Sequence, residues 1–469
     1  MRILLVSHLF PPHHNAGVES YTANLAGCLA QTHDVAVATT RKVPSLPTGT
    51  IRKHSVDGVP VFEVIQNLDY DAPADLWSDR RMERAFDEIL REMAPDLIHF
   101  QHLMYWSLAL PRLAKKRGIP SLLTLHDFWM LCPRMGQLID QRGELCEGPE
   151  PERCGPCMAS STWRQPAEAR RWMGRLQAVR RLTGVPLEGL LRWAEACRRR
   201  MGGAPRGTGS VEQRGDGEVA ALIGRDVPLR KAAVDRCWSA LDAVVSPSRF
   251  VLDRVVRDSS PALRRLHIPH GMDPGAFSAA SGGRTAGPLR VGFLGTVAPH
   301  KGPRVLIEAA ARLPEESLRL VLHGPDASPR SYADGCRARA ASLPHVSMRG
   351  PLPRGKVPEF LGTLDVLCMP SLWFECQPLS LLEARLAGVP VLVSDLGGMA
   401  ELVEEGKGGG RVRVGDVEAW AGRLAELSND RERLRAWRAS IPPVPTLTEH
   451  VGTLAALYAE LVGQGPASG

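Results

Sequence analysis

Two glutamates flank the predicted start of a helix in the second half of the chain. Glu375 lies just before that start, and Glu383 falls in the second turn of the helix that begins at Pro378. No strong capping side chain precedes the helix, so we expect the N–H groups of Leu379 and Ser380 to meet an anion at its positive end. The pattern suits a phosphorylated ligand whose hydroxyl groups the two carboxylates hold. The alternative is that Glu383 is a capping or ion-paired residue.

Two further glycine-containing helix starts occur in the same half. Lys301 and Gly302 precede a helix that begins at Pro303, and Gly397 and Gly398 precede another. A flexible ammonium group beside backbone N–H groups suits phosphate. Each start taken singly is more typical of a surface turn. Three of them in one half indicate a diphosphate site, in which charge is stabilised without a metal.

Parallel strands must position these residues, because short apolar runs alternate with helical patterns along the chain, as in α/β folds. Strands are predicted at residues 3–6, 35–39, 61–65, 97–100, 121–125 and 243–246, and at 291–294, 319–322, 346–348, 366–369 and 389–393. Helices are predicted to begin near Gly17, Asp79, Ser107, Val234, Pro303, Pro378, Asp416 and Thr448.

A Gly/Ser-rich segment predicts two domains with a cleft. The first is expected at residues 1–278, with insertions at about 128–160 and 161–230. A linker is expected at 279–288, a second domain at 289–440, and a C-terminal helix at 441–469 that returns to the first domain. Ligands of such sheets bind beyond the carboxyl ends of the strands. The loops that carry Gly17, His126, Lys301, Glu375 and Gly397 all follow predicted strands.

Taken together, these segments resemble glycosyltransferase family 4, whose members are retaining sugar-nucleotide transferases of the GT-B fold. The resemblance rests on Glu375 and Glu383 with seven residues between them, and on residues 16–19, 246–250, 268–271, 295–302 and 397–401. It covers nearly the whole chain except the arginine-rich stretch at 163–200. It implies two Rossmann-like parallel-sheet domains facing a cleft, the first on the acceptor side and the second binding the nucleotide sugar.

The resemblance also implies the donor residues. Glu375 would contact the donor sugar near the reacting carbon, Glu383 the ribose hydroxyls and Lys301 the diphosphate. Many members carry arginine at the position of Thr296, so leaving-group stabilisation here would rest more heavily on Lys301. The Cys-Gln-Pro run at residues 376–378 also replaces a Gly-rich spacing and indicates a subtype.

On the acceptor side, the resemblance implies that His126 faces the transferred sugar, with Asp127 nearby. Gly17 would let the first loop approach phosphate and acceptor. His99 and His102 flank a strand end and are candidates for acceptor contact, although packed or surface histidines are the more common outcome. Retention in this family is attributed to front-face attack, in which the departing phosphate oxygen takes the acceptor's proton.

Four cysteines follow His126 and Asp127 with the spacing C-x13-C-x7-C-x2-C. They are Cys132, Cys146, Cys154 and Cys157. One close pair within about 26 residues suits a tetrahedral structural zinc site without an open catalytic position. Four reduced thiols in an acceptor-side insertion are the alternative.

A basic stretch follows the cysteines. Residues 163–200 hold ten arginines and three acidic residues, with tryptophans between them, in a chain of net charge +7. The pattern suits anionic lipid head groups. A helix packed on the first domain is the alternative, and no motif indicates nucleic acid. Asp69 and Asp71 match the Asp-x-Asp pattern of metal-dependent transferases but lie in the wrong half, so no catalytic metal is predicted.

Composition sets the remaining bounds. No apolar run reaches the roughly 18 residues of a spanning helix, so a cytoplasmic protein is expected, peripheral at most to the inner membrane face. The function predicted is sugar transfer from a nucleoside-diphosphate sugar to a glycan or lipid-linked acceptor, in bacterial cell-surface polysaccharide or glycoconjugate synthesis. The rivals are a noncatalytic nucleotide-sugar- or glycan-binding relative and a GT-B sugar-nucleotide epimerase.

Overall fold

The computed structural model describes residues 1–161, 165, 167–184, 216–257, 262–275, 277, 287–327 and 330–463. The chain divides into two compact units. Unit 1 comprises Met1–Ser246, Val255–Leu266 and Val451–Gly469, and unit 2 comprises Pro247–Arg254 and His267–His450. Most of the predicted linker and much of the basic stretch lie outside the described residues.

Unit 1 is built on an eight-stranded sheet with the order β3-β4-β2-β1-β5-β6-β7-β8. Its strands are β1 Arg2–Val6, β2 Asp34–Arg41, β3 Ile51–Val56, β4 Val59–Ile65, β5 Leu97–Phe100, β6 Ser121–Thr124, β7 Ala243–Ser246 and β8 Arg264–His267. The strands from β4 through β7 pair in parallel, whereas β3 pairs antiparallel with β4. Both faces of the central strands are buried, which explains their unbroken apolar runs.

The helices that precede β7 are described with unit 1, together with a 3-10 turn at Pro73–Leu76. They are α1 Gly17–Leu29, α2 Arg80–Met93, α3 Leu110–Lys116, α4 Pro151–Ala159, α5 Ala167–Thr183 and α6 Asp216–Trp238. The predicted helix start near Val234 is wrong, because α6 begins at Asp216. Pro228 lies inside α6. A proline within a helical pattern is ordinarily a signal that the helix ends, and here the helix continues through it.

Unit 2 is built on a six-stranded parallel sheet with the order β11-β10-β9-β12-β13-β14. Its strands are β9 Leu289–Leu294, β10 Leu318–His323, β11 Val346–Met348, β12 Val366–Met369, β13 Val391–Ser394 and β14 Gly409–Val412. The remaining helices are α7 Arg249–Val255, α8 Pro303–Ala310, α9 Ser331–Ala341, α10 Val357–Gly362, α11 Leu379–Leu386, α12 Gly397–Leu402, α13 Val417–Asn429, α14 Arg431–Ala439 and α15 Leu447–Gly463. Short 3-10 turns lie at Pro299–Lys301 and Arg354–Lys356.

Unit 2 begins earlier than the boundary expected at residue 278, because the segment after His267 is tied to it. The N–H of His270 donates to Oε1 of Gln377 at 2.8 Å, and the N–H of Met272 donates to the carbonyl of Pro445 at 3.0 Å. A Cβ at Gly271 would lie 2.3 Å from the carbonyl oxygen of Thr446. The segment therefore packs against unit 2 in front of its first strand.

Helix α11 begins one residue later than predicted, since Pro378 is its N-cap. Its C-terminal end agrees with the sequence, because Gly388 follows the last turn with φ +66°. Within the described residues, no helix is both long enough and apolar enough to cross a membrane.

Candidate functional site

Lys301 and Glu375 form a close ion pair in unit 2. Nζ of Lys301 lies 2.6 Å from Oε1 of Glu375, and the hydroxyl of Ser371 and the indole N–H of Trp373 donate to the same oxygen at 2.8 Å each. Oε2 of Glu375 accepts no hydrogen bond from the described residues. The side chain of Glu375 is only 11% exposed. One carboxylate oxygen is therefore fixed by three donors while the other stays available to a ligand.

The environment of Glu375 favours its ionised form. Burial by itself raises the pKa of Glu375, but the charge of Lys301 and the hydrogen bonds from Lys301, Trp373 and Ser371 together lower it below its usual value. Lys301 also lies 5.1 Å from the centre of the Trp373 ring. Glu375 is therefore ionised at neutral pH.

The backbone around Gly302 places Lys301. The 3-10 turn Pro299–Lys301 ends at Gly302, whose φ is +68° and whose Cβ, if present, would lie 2.0 Å from the carbonyl oxygen of Pro370. The carbonyl of His300 accepts from the N–H of Leu372 at 2.8 Å, and the His300 ring stacks 4.0 Å from that of Trp373. Burial and the neighbouring lysine lower the pKa of His300 to about 4, so its imidazole is neutral.

Gly398 supports the same loop. Its N–H donates to the carbonyl of Glu375 at 3.1 Å, and a Cβ there would lie 2.0 Å from the carbonyl oxygen of Cys376. The backbone donor expected to meet phosphate at Gly398 is therefore engaged with Glu375. Gly397 has φ +58° and faces the ring of Phe374. This helix start holds the Glu375 loop in place.

Glu383 lies on α11 and is half-buried. Its carboxylate accepts no hydrogen bond and forms no ion pair with the described residues. Burial raises the pKa of Glu383, and Arg354 opposes this shift. At the start of the same helix, the N–H groups of Leu379 and Ser380 have no acceptor in the described part of the chain. Helix α11 thus carries both a carboxylate without a hydrogen-bond partner and two backbone N–H groups without an acceptor among the described residues.

Two distant sequence segments meet in unit 2. The carboxylate of Glu401 accepts from the hydroxyl of Ser248 at 2.7 Å and from the N–H groups of Arg249 and Phe250 at 2.8 and 2.9 Å. Glu401 therefore caps the start of α7 although the two lie 151 to 153 residues apart in the sequence. Thr296 follows β9 and is half-buried, and the N–H of Ala298 donates to its carbonyl at 2.9 Å.

In unit 1, His126 and Asp127 follow β6. Nε2 of His126 lies 3.0 Å from Oε1 of Gln101, and its ring packs edge-on against Tyr21, 5.0 Å between centres. Tyr21 belongs to α1, which begins at Gly17. The residues that follow β5 and β6 therefore lie beside the first helix, α1, as the contacts of His126 with Gln101 and Tyr21 show.

His102 and Asp127 are hydrogen-bonded. Nδ1 of His102 accepts from the N–H of Met104 at 2.9 Å, so a neutral ring carries its proton on Nε2, which lies 3.1 Å from Oδ2 of Asp127. Oδ1 of Asp127 accepts from the N–H of Trp129 at 2.7 Å. His99 differs, because it is fully buried between Tyr458 (2.6 Å) and Thr124 (2.7 Å) as a core residue.

His8 and Glu19 join this group, although the sequence assigned them no role. Nε2 of His8 lies 3.5 Å from Oε1 of Glu19, and both side chains are almost fully buried. The His8 ring is 4.5 Å from that of His102. Burial and the neighbouring His102 and His14 lower the pKa of His8 well below its usual value. His8 follows the carboxyl end of β1, and Glu19 lies in the first turn of α1 within the segment 16–19 that carries the family resemblance.

The Asp-x-Asp pair is occupied by structural contacts. Asp69 accepts from Thr48 and Arg81, and Asp71 pairs with Arg170 at 2.9 Å. Within the described residues, no three or more His, Cys, Asp or Glu side chains are arranged as they stand to hold a metal ion. The four cysteines nevertheless line one small cavity in unit 1: Cys132, Cys146, Cys154 and Cys157.

The described part of the basic stretch is α5, which packs on unit 1. Gln177 donates to the carbonyls of Pro44 and Leu46 at 3.2 Å, and Arg170 pairs with Asp71. Trp172 and Leu182 are exposed. Trp163 and Trp193, on which part of the membrane prediction rests, lie outside the described residues.

Two family models match the chain and together span more than two thirds of it. The model described as Glycosyltransferase Family 4 matches residues 15–181, and the model described as Glycosyl transferases group 1 matches residues 278–441. The first match contains Gly17, His126 and the four cysteines. The second contains Lys301, Glu375 and Glu383.

Curated relatives are similar over part of their length. The D-inositol 3-phosphate glycosyltransferase of Nocardia farcinica is 34% identical over 183 residues, 36% of this chain and 40% of that protein. The GDP-mannose-dependent alpha-(1-6)-phosphatidylinositol monomannoside mannosyltransferase of Mycolicibacterium smegmatis is 28% identical over 244 residues, 46% of this chain and 62% of that protein. The chain spans about half the length of the curated relatives it matches.

Solved structures match nearly the whole chain. Sucrose-phosphate synthase from Thermosynechococcus elongatus superposes with a TM-score of 0.63 at 16% identity, covering 99% of this chain and 100% of that one. HepE from Anabaena, in complex with UDP and glucose, superposes with a TM-score of 0.59 at 15% identity, covering 99% and 100%. At these identities the likeness establishes the fold, which is GT-B. With the matched segments carrying the residues described above, the chain belongs to glycosyltransferase family 4.

Proposed function

We propose that the protein is a retaining, metal-independent glycosyltransferase. It transfers a sugar from a nucleoside-diphosphate sugar to a glycan or lipid-linked acceptor, in bacterial cell-surface polysaccharide or glycoconjugate synthesis. The observation that carries this proposal is the Lys301–Glu375 pair, in which three donors fix one carboxylate oxygen and leave the other available. HepE, a structural neighbour, is in complex with UDP and glucose, which supports a nucleotide-sugar donor.

The donor is held by residues of unit 2 in this proposal. Lys301 exchanges part of its contact with Glu375 for the diphosphate, and the N–H groups of Leu379 and Ser380 bind a phosphate oxygen. Glu383 accepts hydrogen bonds from the ribose, which gives its carboxylate the partners it lacks. Oε2 of Glu375 contacts the sugar near the reacting carbon. Thr296 offers one hydroxyl where many members have a cation.

The transfer breaks the bond between the sugar's anomeric carbon and the terminal phosphate oxygen. The acceptor oxygen forms its bond to the same face of that carbon, and its proton passes to the departing phosphate oxygen. Charge developing on the diphosphate is stabilised by Lys301 and the α11 amides. No protein nucleophile takes part, and the anomeric configuration is retained.

Unit 1 supplies the acceptor contacts in this proposal. His126 faces the transferred sugar, and the His102–Asp127 pair orients an acceptor hydroxyl. An apolar pocket of about 240 Å³ lies beside the segment that follows Asp127, lined among others by Trp77, Met130 and Trp238. Such a pocket supports a lipid-linked acceptor, and the named relatives act on inositol phosphate or phosphatidylinositol mannoside. The basic stretch at 163–200 would contact anionic lipid at the inner membrane face.

A panel of nucleoside-diphosphate sugars, read by mass spectrometry with and without added acceptors, tests the proposal. We expect donor consumption that depends on acceptor, persists without added Mg²⁺ or Mn²⁺, and gives a product of retained configuration by NMR. Isomerisation of the donor alone would identify an epimerase. Binding of donors without turnover by any of them would identify a noncatalytic relative.

The site residues are tested in the same assay. We expect Glu375→Gln and Lys301→Met each to lower kcat/KM by about 100-fold or more, as for other groups that stabilise developing charge. The exposed pair Lys356 and Glu359, 2.8 Å apart on the surface of unit 2, provides the matched controls Lys356→Met and Glu359→Gln. Equal activity of site and control variants would refute the assignment.

A further inference from the structure

The four cysteines of unit 1 converge from three segments on one cavity. Cys132 follows the His126–Asp127 loop, Cys146 lies beyond the exposed turn at residues 141–144, and Cys154 and Cys157 belong to α4. Cys132 and Cys157 are buried, and the other two are half-buried. The four cysteines that are spaced along residues 132–157 therefore lie around the same cavity.

Positive charge surrounds this cavity. Nη1 of Arg134 lies 3.6 Å from Sγ of Cys157, and Arg153 interacts electrostatically with Cys146. Arg230 of α6 interacts electrostatically with Cys132 and Cys154. Arg153 is already paired with the carboxylate of Asp140 at 3.0 Å, whereas Arg134 and Arg230 form no ion pair with the described residues.

Among these arginines, Arg230 is the one that is buried without an ion pair in the described part of the chain. Its side chain is buried, with 4% of the residue exposed, and its guanidinium donates only to the carbonyls of Trp129, Met130 and Leu131. No carboxylate of the described residues lies within ion-pair distance of it. A buried cation without an ionic partner is strongly disfavoured. The groups that interact electrostatically with Arg230 and can carry a negative charge include Cys132, Cys154 and the carboxylate of Asp127.

We propose that Cys132, Cys146, Cys154 and Cys157 bind one zinc ion as four thiolates, and that this centre is the counter-charge of Arg230. One Zn²⁺ with four thiolates has a net charge of −2, and its formation releases four protons. Four sulfur ligands complete the tetrahedron and leave no position for a substrate, so the ion is structural. The sulfur atoms are not yet gathered at one point. Zinc binding therefore requires the three segments that carry these cysteines, including the exposed turn that precedes Cys146, to move closer together.

The zinc centre would hold in place the segment that follows Asp127. It ties the segment after Asp127 to α4, and α4 packs closely on α6, since a Cβ at Gly155 would lie 2.4 Å from the carbonyl oxygen of Ala220. The same two helices supply Met158 and Ile223 to the apolar pocket. The metal therefore positions the acceptor region without touching the reacting atoms.

Elemental analysis of the purified full-length chain is the first test, and it needs no substrate. We expect about one zinc per chain, and with Co²⁺ in its place the strong visible bands of tetrahedral thiolate coordination. Cys154→Ser and Cys146→Ser should lower the zinc content several-fold. Cys28→Ser, a half-buried cysteine of α1, is the matched control and should keep it.

Zinc content is measured without substrate, so its result does not depend on the sugar-transfer assay. Zinc below half an equivalent in protein purified without chelator overturns the proposal, as does unchanged zinc in both site variants. Iron with labile sulfide, or disulfides among these four residues by mass spectrometry, overturns it in favour of a cluster or a redox pair. Because Cys146 is half-exposed, its variant folds more readily than those of the buried cysteines and keeps the test decisive. A protein with zinc but no transferase activity would leave this inference standing.

Discussion

Glu375 and Glu383 are the same residue type, eight positions apart, in opposite electrostatic environments. Glu375 is surrounded by donors and a lysine, which lower its pKa, whereas burial raises that of Glu383. The ionised form of Glu375 therefore stabilises the fold at pH values above the usual glutamate pKa of 4.5. This stabilisation is lost as the pH falls through the lowered pKa of the folded state. The carboxylate of Glu383 has the reverse effect on stability.

We predict that Glu383→Gln stabilises the ligand-free protein while weakening donor binding. At pH 7 the free energy of unfolding should rise by about 1 kcal/mol, the low end of the cost of burying a polar group without a partner. The folded state favours protonated Glu383, so the gain should shrink as the pH falls through its raised folded pKa towards the usual value near 4.5. Urea unfolding between pH 4.5 and 7.5 measures this effect.

The same variant checks the functional reading of Glu383. If its carboxylate binds ribose hydroxyls, nucleoside diphosphates should protect the wild type from unfolding more than they protect Glu383→Gln. A less stable variant with unchanged ligand protection would contradict both parts and mark Glu383 as a structural residue.

At the residue scale, the helix starts marked in the sequence made Glu375, Glu383 and Lys301 candidates, and the structure pairs Lys301 with Glu375. Ser371 and Trp373, which hold Glu375, could not be assigned, since nothing local shows which way a loop side chain turns. The use of the Gly398 amide by Glu375 and the His8–Glu19 contact depend on packing between distant segments, which a single sequence does not display.

At the element scale, glycines set how closely loops approach one another. We predict that Gly302→Ala sharply lowers activity and destabilises unit 2 by several kcal/mol. A left-handed φ costs an alanine about 1–2 kcal/mol, and here the Cβ would also lie 2.0 Å from the carbonyl oxygen of Pro370. Relief of that contact must move the turn that carries Lys301. Thermal unfolding and kcat/KM measure the two effects.

Gly350 provides a matched control for this prediction. Its φ is +71°, close to the +68° of Gly302, but a Cβ there would meet nothing within 4 Å. Gly350→Ala should therefore lose only the conformational part of the stability and keep its activity. If both variants lose the same stability, the close approach to Pro370 has no energetic role.

Strands follow from the sequence wherever both faces are buried. The apolar runs of β1, β5, β7 and β12 predict their positions within a residue or two. β3, β8 and β14 are missed; β8, like β3, is not buried on both faces. β3 is an exposed, polar edge strand, and β14 begins with Gly409, where a Cβ would lie 2.2 Å from the carbonyl oxygen of Val391. Close backbone packing thus replaces the strand-forming residues that sequence patterns detect.

At the scale of the whole molecule, sequence order and spatial order differ. The C-terminal segment Val451–Gly469 follows unit 2 along the chain yet belongs to unit 1. Its helix buries Leu454, Leu457 and Tyr458, and the Tyr458 hydroxyl lies 2.6 Å from Nδ1 of His99 in β5. The last helix therefore completes the core of the first unit.

We predict that removal of residues 451–469 destabilises unit 1 and leaves unit 2 folded. Loss of several buried apolar side chains, each contributing about 1.5–3 kcal/mol, exceeds what a unit of marginal stability tolerates. Hydrogen exchange followed by mass spectrometry should show rapid exchange in Leu97–Phe100 and retained protection in Val366–Met369. Tyr458→Phe is the milder variant, with a loss of about 1–2 kcal/mol confined to unit 1. Equal loss of protection in both strands would mean that the two units unfold as one, and the division of the chain would have to be redrawn.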